Sequence, residues 1–277
     1  MSFCPQGHLY CGPRRCAAID AMSAEQSSFF GSVRRFERPG PGYAQVPLFF
    51  ESLSCLAAVF TASRQRILEL LPNRRMRPVE VMPGRCLLTI AGLQYRASDL
   101  GAYNELALAV PIAYGAHPLP VLDALRHGLA RAFNAYVWQL PVTTEQSRDA
   151  GVALAGFPKS VADVRFEVDD ARARCTLFED GAGSIGLSCD PGAAAGERQL
   201  KARAWTTMGE TPLVSTFVVR QTRYRDHYKR DAMQLELGQG PLAQAVRRLE
   251  PSDRPIASHW CKEGQAMLFG PRNPIDD

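Results

Sequence analysis

Two short segments carry residue types suited to chemistry at a carbonyl group. Gly156-Phe157-Pro158-Lys159 sets a lysine directly after a proline, and Gly101-Ala102-Tyr103-Asn104-Glu105 leads a glutamate into an apolar run. A lysine amine attacks a ketone only when neutral, and an apolar pocket favours that form by penalising the ammonium ion. A carboxylate within hydrogen-bond reach can then move protons at the reacting atoms. Each residue also has a plainer reading. On strict alternation Lys159 shares a strand face with Val161, Asp163, Arg165 and Glu167, which describes a solvated face unless Pro158 delays the strand or that face lines a barrel interior. Glu105 alone fits an edge-strand charge.

The elements around these residues are mostly strands. Apolar or alternating runs predict strands near 45–60, 86–95, 104–114, 161–168, 172–179, 184–189, 198–207, 212–221 and 232–237. On the second half of this pattern, Tyr103, Glu105, Ala107 and Ala109 share one face, and Leu106, Leu108 and Val110 the other, so small residues beside the acid leave room for a ligand. Helices are expected at Ala62 to Leu71, from Pro120 to about Ala135, and at Pro241 to Leu249, where Leu242, Ala245, Val246 and Leu249 recur at helical spacing. A further short helix is marked by Thr143 as its cap, with Gln146 three residues on and Gly156 and Pro158 as its stop. The class is α+β, with no internal repeat.

Bulk properties exclude more than they select. The chain has 277 residues, 46% of them apolar, which is enough for one substantial core. A net charge of +4 implies neither a nucleic-acid nor a membrane partner. The basic stretch Arg220 to Arg230, interleaved with Tyr224, His227 and Tyr228, can contact phosphates, but Asp226 interrupts it and a solvated sheet face explains it better. The eight cysteines form no C-x-x-C pair, and Cys55 and Cys86 sit in strand-like runs as small buried hydrophobes, so reduced thiols and a cytoplasmic location are expected. No signal peptide is read at the amino terminus, and the longest apolar run, Leu106 to Ala113, is far below the roughly 20 residues that span a bilayer.

Residues 1–40 form an expected irregular, mobile extension, and 41–277 a single domain. Cys4, His8, Cys11 and Cys16 match no common zinc spacing, and His117, His127, His227 and His259 show no H-E-x-x-H pattern, so no metal is expected. Asp180-Gly181-Ala182-Gly183-Ser184 reads as a hairpin turn, because no P-loop lysine follows it.

Taken together, the Lys159 segment, preceded by Leu140-Pro141-Val142-Thr143-Thr144-Glu145 and Arg148-Asp149-Ala150-Gly151, resembles the active-site segment of the acetoacetate decarboxylase superfamily. The Glu105 segment resembles its glutamate-bearing strand, and the resemblance runs over about 45 to 250 in order and spacing. It implies an antiparallel, barrel-like sheet with a few flanking helices and a homo-oligomer. It also implies Lys159 as a Schiff-base lysine and Glu105 as a catalytic carboxylate, acting on a small keto acid or related carbonyl substrate without cofactor. The iminium then acts as electron sink, for decarboxylation or for aldol or dehydration chemistry. Tyr103, Phe157, Arg96 and Trp138 are the expected substrate-binding residues; for Trp138 a place in the core is the competing reading.

The pattern also departs from the family. Its decarboxylases place a second lysine after the first, where this chain has Ser160. Their early-strand arginine and second glutamate fall near Thr61 and Leu88 to Thr89. Arg64 and Arg96 are the nearby cations left to meet a substrate carboxylate. A protein that keeps the pocket and binds without turnover is the alternative reading.

Overall fold

The computed structural model describes residues 29–31, 33–38, 44–115, 132–229 and 231–274. The chain divides into residues 1–34 and 35–277, and everything below concerns the second unit. The expected tail and its cysteines lie almost wholly outside the described residues, as does most of the helix expected from Pro120.

Seven strands close into a barrel. Their order is β7 (Tyr103–Tyr114), β6 (Arg85–Ser98), β3 (Leu48–Ser63), β16 (Ala257–Leu268), β14 (Thr211–His227), β13 (Arg198–Met208) and β8 (Ala132–Val142), and β8 returns to pair with β7. Most neighbours are antiparallel, but β8 runs parallel to β13 and to the short edge strand β9 (Lys159–Val161), so the barrel is mixed. Two further short strands, β4 (Met76–Pro78) and β5 (Glu80–Met82), pair with β7 and β6, and β1 (Phe36–Arg38) and β2 (Ala44–Val46) form a separate hairpin. A second, antiparallel sheet orders β10 (Asp163–Val168), β11 (Ala173–Glu179), β12 (Ala182–Cys189) and β15 (Met233–Leu237). Three helices accompany them in the described part of this unit: α1 (Arg64–Leu70), α2 (Glu145–Ala155) and α3 (Pro241–Arg248). Among the described residues no helix is long and apolar enough to cross a membrane.

Alternation sets the two faces of the barrel wall. Leu56, Ala58, Phe60, Ile90, Leu106 and Leu108 are fully buried, packed under the second sheet and α3 with Cys175, Leu187, Val246 and Trp260. Their odd-numbered neighbours Cys55, Ala57, Ala91, Leu93, Ala107 and Ala109 point to the lumen and remain partly exposed, although paired strands flank each of them. Side chains therefore do not fill the inside of the barrel. Cys86 is buried as expected, whereas Cys55 lies on the lumen face. Burial pushes the thiols of Cys86 to about 11 and of Cys175, Cys189 and Cys261 to about 12, which leaves them protonated and unreactive.

Two strands of the barrel ring, and the short strands β1, β4, β5 and β9, were not anticipated. Ala132 to Ala135 begin β8 instead of ending a helix, and strand pairing on both sides overrides the helical reading there. The alternation of β16 is broken by register shifts between Cys261 and Gly264 and between Gly264 and Ala266, which hides its period. The two faces make unequal contributions to stability. Leu106→Ala on the sealed face should cost about 2–5 kcal/mol in urea unfolding, and Ala109→Ser on the lumen face about 0.5 kcal/mol or less.

Candidate active site

Lys159 and Glu105 meet at one end of the lumen. Lys159 Nζ lies 3.0 Å from Glu105 Oε2, with side-chain exposures of 6% and 9%. Glu105 stands opposite Leu93 on β6 and Val142 on β8, which places it on the inner face. The route of Lys159 is set by α2. Thr144, not the expected Thr143, caps this helix by accepting from Ser147 N, while Thr143 Oγ1 accepts from Asn104 N at 3.0 Å and pins the strand before it. At the other end Gly156 takes a left-handed conformation, with its N–H directed at Gly151 O and Val152 O, and Thr206 holds Ala155 O at 2.6 Å. The reversal sends Pro158 along β8, where Leu140 N donates to Pro158 O at 3.2 Å.

The lysine side chain then runs across α2. A Cβ on Gly151 would stand 2.6 Å from Lys159 Cδ and 2.8 Å from Cε, so a side chain here would push the lysine off this route. The solvent-face reading of Lys159 fails because the chain leaves the barrel after three residues: Val161 is 45% exposed, and Asp163, Arg165 and Glu167 belong to β10 in the other sheet.

Aromatic rings close the pair in. The Tyr103 ring centroid is 5.2 Å and that of Phe157 6.0 Å from Lys159 Nζ. Tyr95 stacks at 4.6 Å on both Tyr103 and Phe50, and its hydroxyl points to Glu105 Oε1 at 3.5 Å. Burial, reinforced by the charge of Glu105, raises the phenols of Tyr95 and Tyr103 well above the ordinary tyrosine value, so both stay protonated donors. The arrangement sets one amine against one carboxylate, with the neutral Tyr95 hydroxyl beside them, in a pocket that buries both charged side chains.

Of the sequence-derived residues, Lys159, Glu105, Tyr103 and Phe157 come together, and Arg96 and Trp138 do not. Arg96 follows Tyr95 on the opposite strand face, where it donates to Ser52 Oγ at 3.0 Å, Ser54 Oγ at 2.5 Å and Leu53 O at 3.1 Å. Trp138 packs against the sealed outer clusters that hold Leu106, Leu108 and Trp205. Arg64 pairs with Glu80 at 3.1 Å, away from the lumen. Thr61 binds Arg85, Leu88 is buried in the outer core, and Ser160 is exposed, so none of the departing positions supplies a second charge to the pair. In the basic stretch, Arg220 and Arg223 pair with Glu197 and Glu263, and Arg230 lies outside the described residues. Tyr95 escaped the sequence reading, because its place beside Glu105 follows only from the β6–β7 register, which sets Tyr95 opposite Tyr103; Gly151 was read only as part of the family-like segment, without its contact to the lysine.

A closed barrel that presents one buried lysine against one buried carboxylate is a framework for carbonyl chemistry. The model of the acetoacetate decarboxylase (ADC) family matches residues 36–271, and the chain belongs to that family. An acetoacetate decarboxylase from Legionella pneumophila is similar in fold, with TM-score 0.59 at 13% identity over 91% of this chain and 96% of its own. A second acetoacetate decarboxylase structure gives TM-score 0.57 at 12% identity over 84% of this chain and 91% of its own. The enduracididine biosynthesis enzyme MppR, solved in complex with pyruvate, gives 0.58 at 13% identity over 82% and 90%. No curated protein sequence matches the chain.

Packing couples Gly151 to Lys159. Gly151→Ala should lower stability by about 1–3 kcal/mol, the usual cost of overpacking, and most of that loss should vanish in the Lys159→Ala background, as read by a double-mutant cycle in denaturant.

Proposed function

We propose that the protein is an acetoacetate decarboxylase-like enzyme in which Lys159 forms a Schiff base with a small keto acid. The observation that carries this reading is the 3.0 Å approach of Lys159 Nζ to Glu105 Oε2 inside a pocket walled by Tyr95, Tyr103 and Phe157. Loss of water from the carbinolamine leaves an iminium, which stabilises an adjacent carbanion as an enamine. Glu105 takes or returns the proton at that carbon, and the Tyr95 hydroxyl holds the carboxylate by its other oxygen. Hydrolysis of the final iminium restores the amine. Arg96 and Trp138 have no part in this reading, and the substrate stands against Tyr103 and Phe157.

Aldol or dehydration chemistry fits better than decarboxylation of acetoacetate. Arg64 and Arg96 point elsewhere, and Ser160 replaces the second lysine of the decarboxylases. The same missing charges favour one other reading, a pocket that binds a carbonyl compound without turning it over. We infer one domain over 41–277, a homo-oligomeric assembly and a cytoplasmic location, with no nucleic-acid, metal or membrane partner.

Enamine formation has a direct signature. In deuterium oxide the methyl protons of pyruvate should exchange in the presence of the wild type, stop exchanging with Lys159→Ala, and exchange about 10²–10⁴-fold more slowly with Glu105→Gln, as followed by proton NMR. Pyruvate binding with no exchange would support the binding-only reading instead.

A further inference from the structure

The lumen holds a second polar cluster that the lysine chemistry does not use. Arg198 on β13 donates to both oxygens of Asp226 on β14, with Nη2 at 2.9 Å from Oδ1 and Nη1 on Oδ2, and its Nε donates to Gln221 Oε1 at 2.7 Å. With its oxygen engaged, Gln221 turns its amide nitrogen to His259 Nε2 at 2.7 Å. On its other side the ring sets Nδ1 2.6 Å from Asp226 Oδ1 and 3.1 Å from Arg198 Nη2. The Tyr224 ring covers the guanidinium at 3.9 Å. Burial opposes ionisation of Asp226, but the hydrogen bonds from His259 and Arg198 outweigh it and hold the carboxyl at about 2. Paired in this way, the charges of Arg198 and Asp226 offset each other.

Register sets Asp226 and His259 on the wall across from Glu105. Asp226 pairs with His259, His259 with Ala57, Ala57 with Ala91, and Ala91 with Ala107. Directly paired residues share a sheet face, and Ala107 shares its face with Glu105, two residues away on β7. In the ring of seven, β16 is three strands from β7 by one route and four by the other, as far across as the ring allows. The alanines between them are small and partly exposed, so open space separates the two polar groups.

The unused valences define the ligand. Among the described residues Asp226 Oδ2 takes a single donor, from Arg198, while Arg198 Nη1 and the Gln221 amide nitrogen each keep one hydrogen that no described bond uses. A second carboxylate would meet Asp226 and an ammonium would meet Arg198, whereas a hydroxyl both donates and accepts. We propose that the Arg198–Gln221–Asp226–His259 cluster binds a hydroxyl at the distal end of the substrate, so that the lumen selects hydroxylated keto acids over those with apolar tails. This rests on the reading of Lys159 as the carbonyl-binding end.

The test compares 4-hydroxy-2-oxobutanoate with 2-oxopentanoate, in which a methyl group replaces the hydroxyl, by calorimetric titration of the wild type, Asp226→Asn and His259→Asn. The wild type should bind the hydroxylated acid about tenfold or more tightly, because a site built for a hydroxyl leaves polar groups unpaired when it is missing. In either variant that still melts cooperatively the ratio should fall toward one, a change that general loosening of the barrel would not produce. A wild-type ratio near one, a preference that survives in the folded variants, or no binding of either acid would overturn the proposal. Should neither variant fold, the wild-type ratio decides alone. Borohydride treatment of the same samples separates the two readings: a missing Lys159 adduct refutes the imine while the calorimetric ratio still decides on the hydroxyl site.

Discussion

The buried contact between Lys159 and Glu105 is the constraint on which the rest of this structure depends. Taking an amine and a carboxylate out of water costs several kcal/mol for each ion, and removing either partner leaves the other stranded. Such a pair survives only where the surroundings hold both groups firmly. Glu105 is fixed within the closed wall of the barrel by pairing on both sides, with Leu93 and with Val142. Lys159 arrives from a three-residue edge strand, aimed by the Gly156 reversal and admitted by the missing side chain of Gly151.

A hollow lumen and a sealed outer wall follow from the same alternation. The outward residues Leu56, Ile90, Leu106 and Leu108 provide the packing that stabilises the barrel, and they need the second sheet above them to exclude water. With the core on that side, the inward positions are free to be small. Ala57, Ala91, Ala107 and Ala109 leave space where a filled barrel of this size would hold large side chains. The aromatic group of Phe50, Tyr95 and Tyr103 then closes the end of the lumen at which the lysine sits. Stability and a ligand space thus come from opposite faces of the same strands.

Much of this was legible in the sequence. The Gly-Phe-Pro-Lys segment, the helix before it and the Glu105 segment carried the resemblance to the family, and strand alternation set Glu105 on one face with Tyr103. What escaped depends on register. Arg96 is adjacent in sequence to Tyr95 and was the expected cation, yet the pleat turns it to the other face, where it binds Ser52 and Ser54. Trp138 was expected at the pocket and packs into the outer wall. The cap fell one residue late, at Thr144, because Thr143 is engaged with Asn104 instead. His259 looked isolated because its partners Asp226, Gln221 and Arg198 come from two other strands, and the β16 register shifts hide which way it faces.

The central claim is that Lys159 is the residue that bonds to a carbonyl ligand. Mass spectrometry after incubation with pyruvate or acetoacetate and borohydride, comparing wild type with Lys159→Ala, addresses it most directly. The account predicts a single reduced adduct in the wild type, located by peptide mapping on Lys159, and none in the variant. An adduct on another lysine, or none with either keto acid, would contradict it.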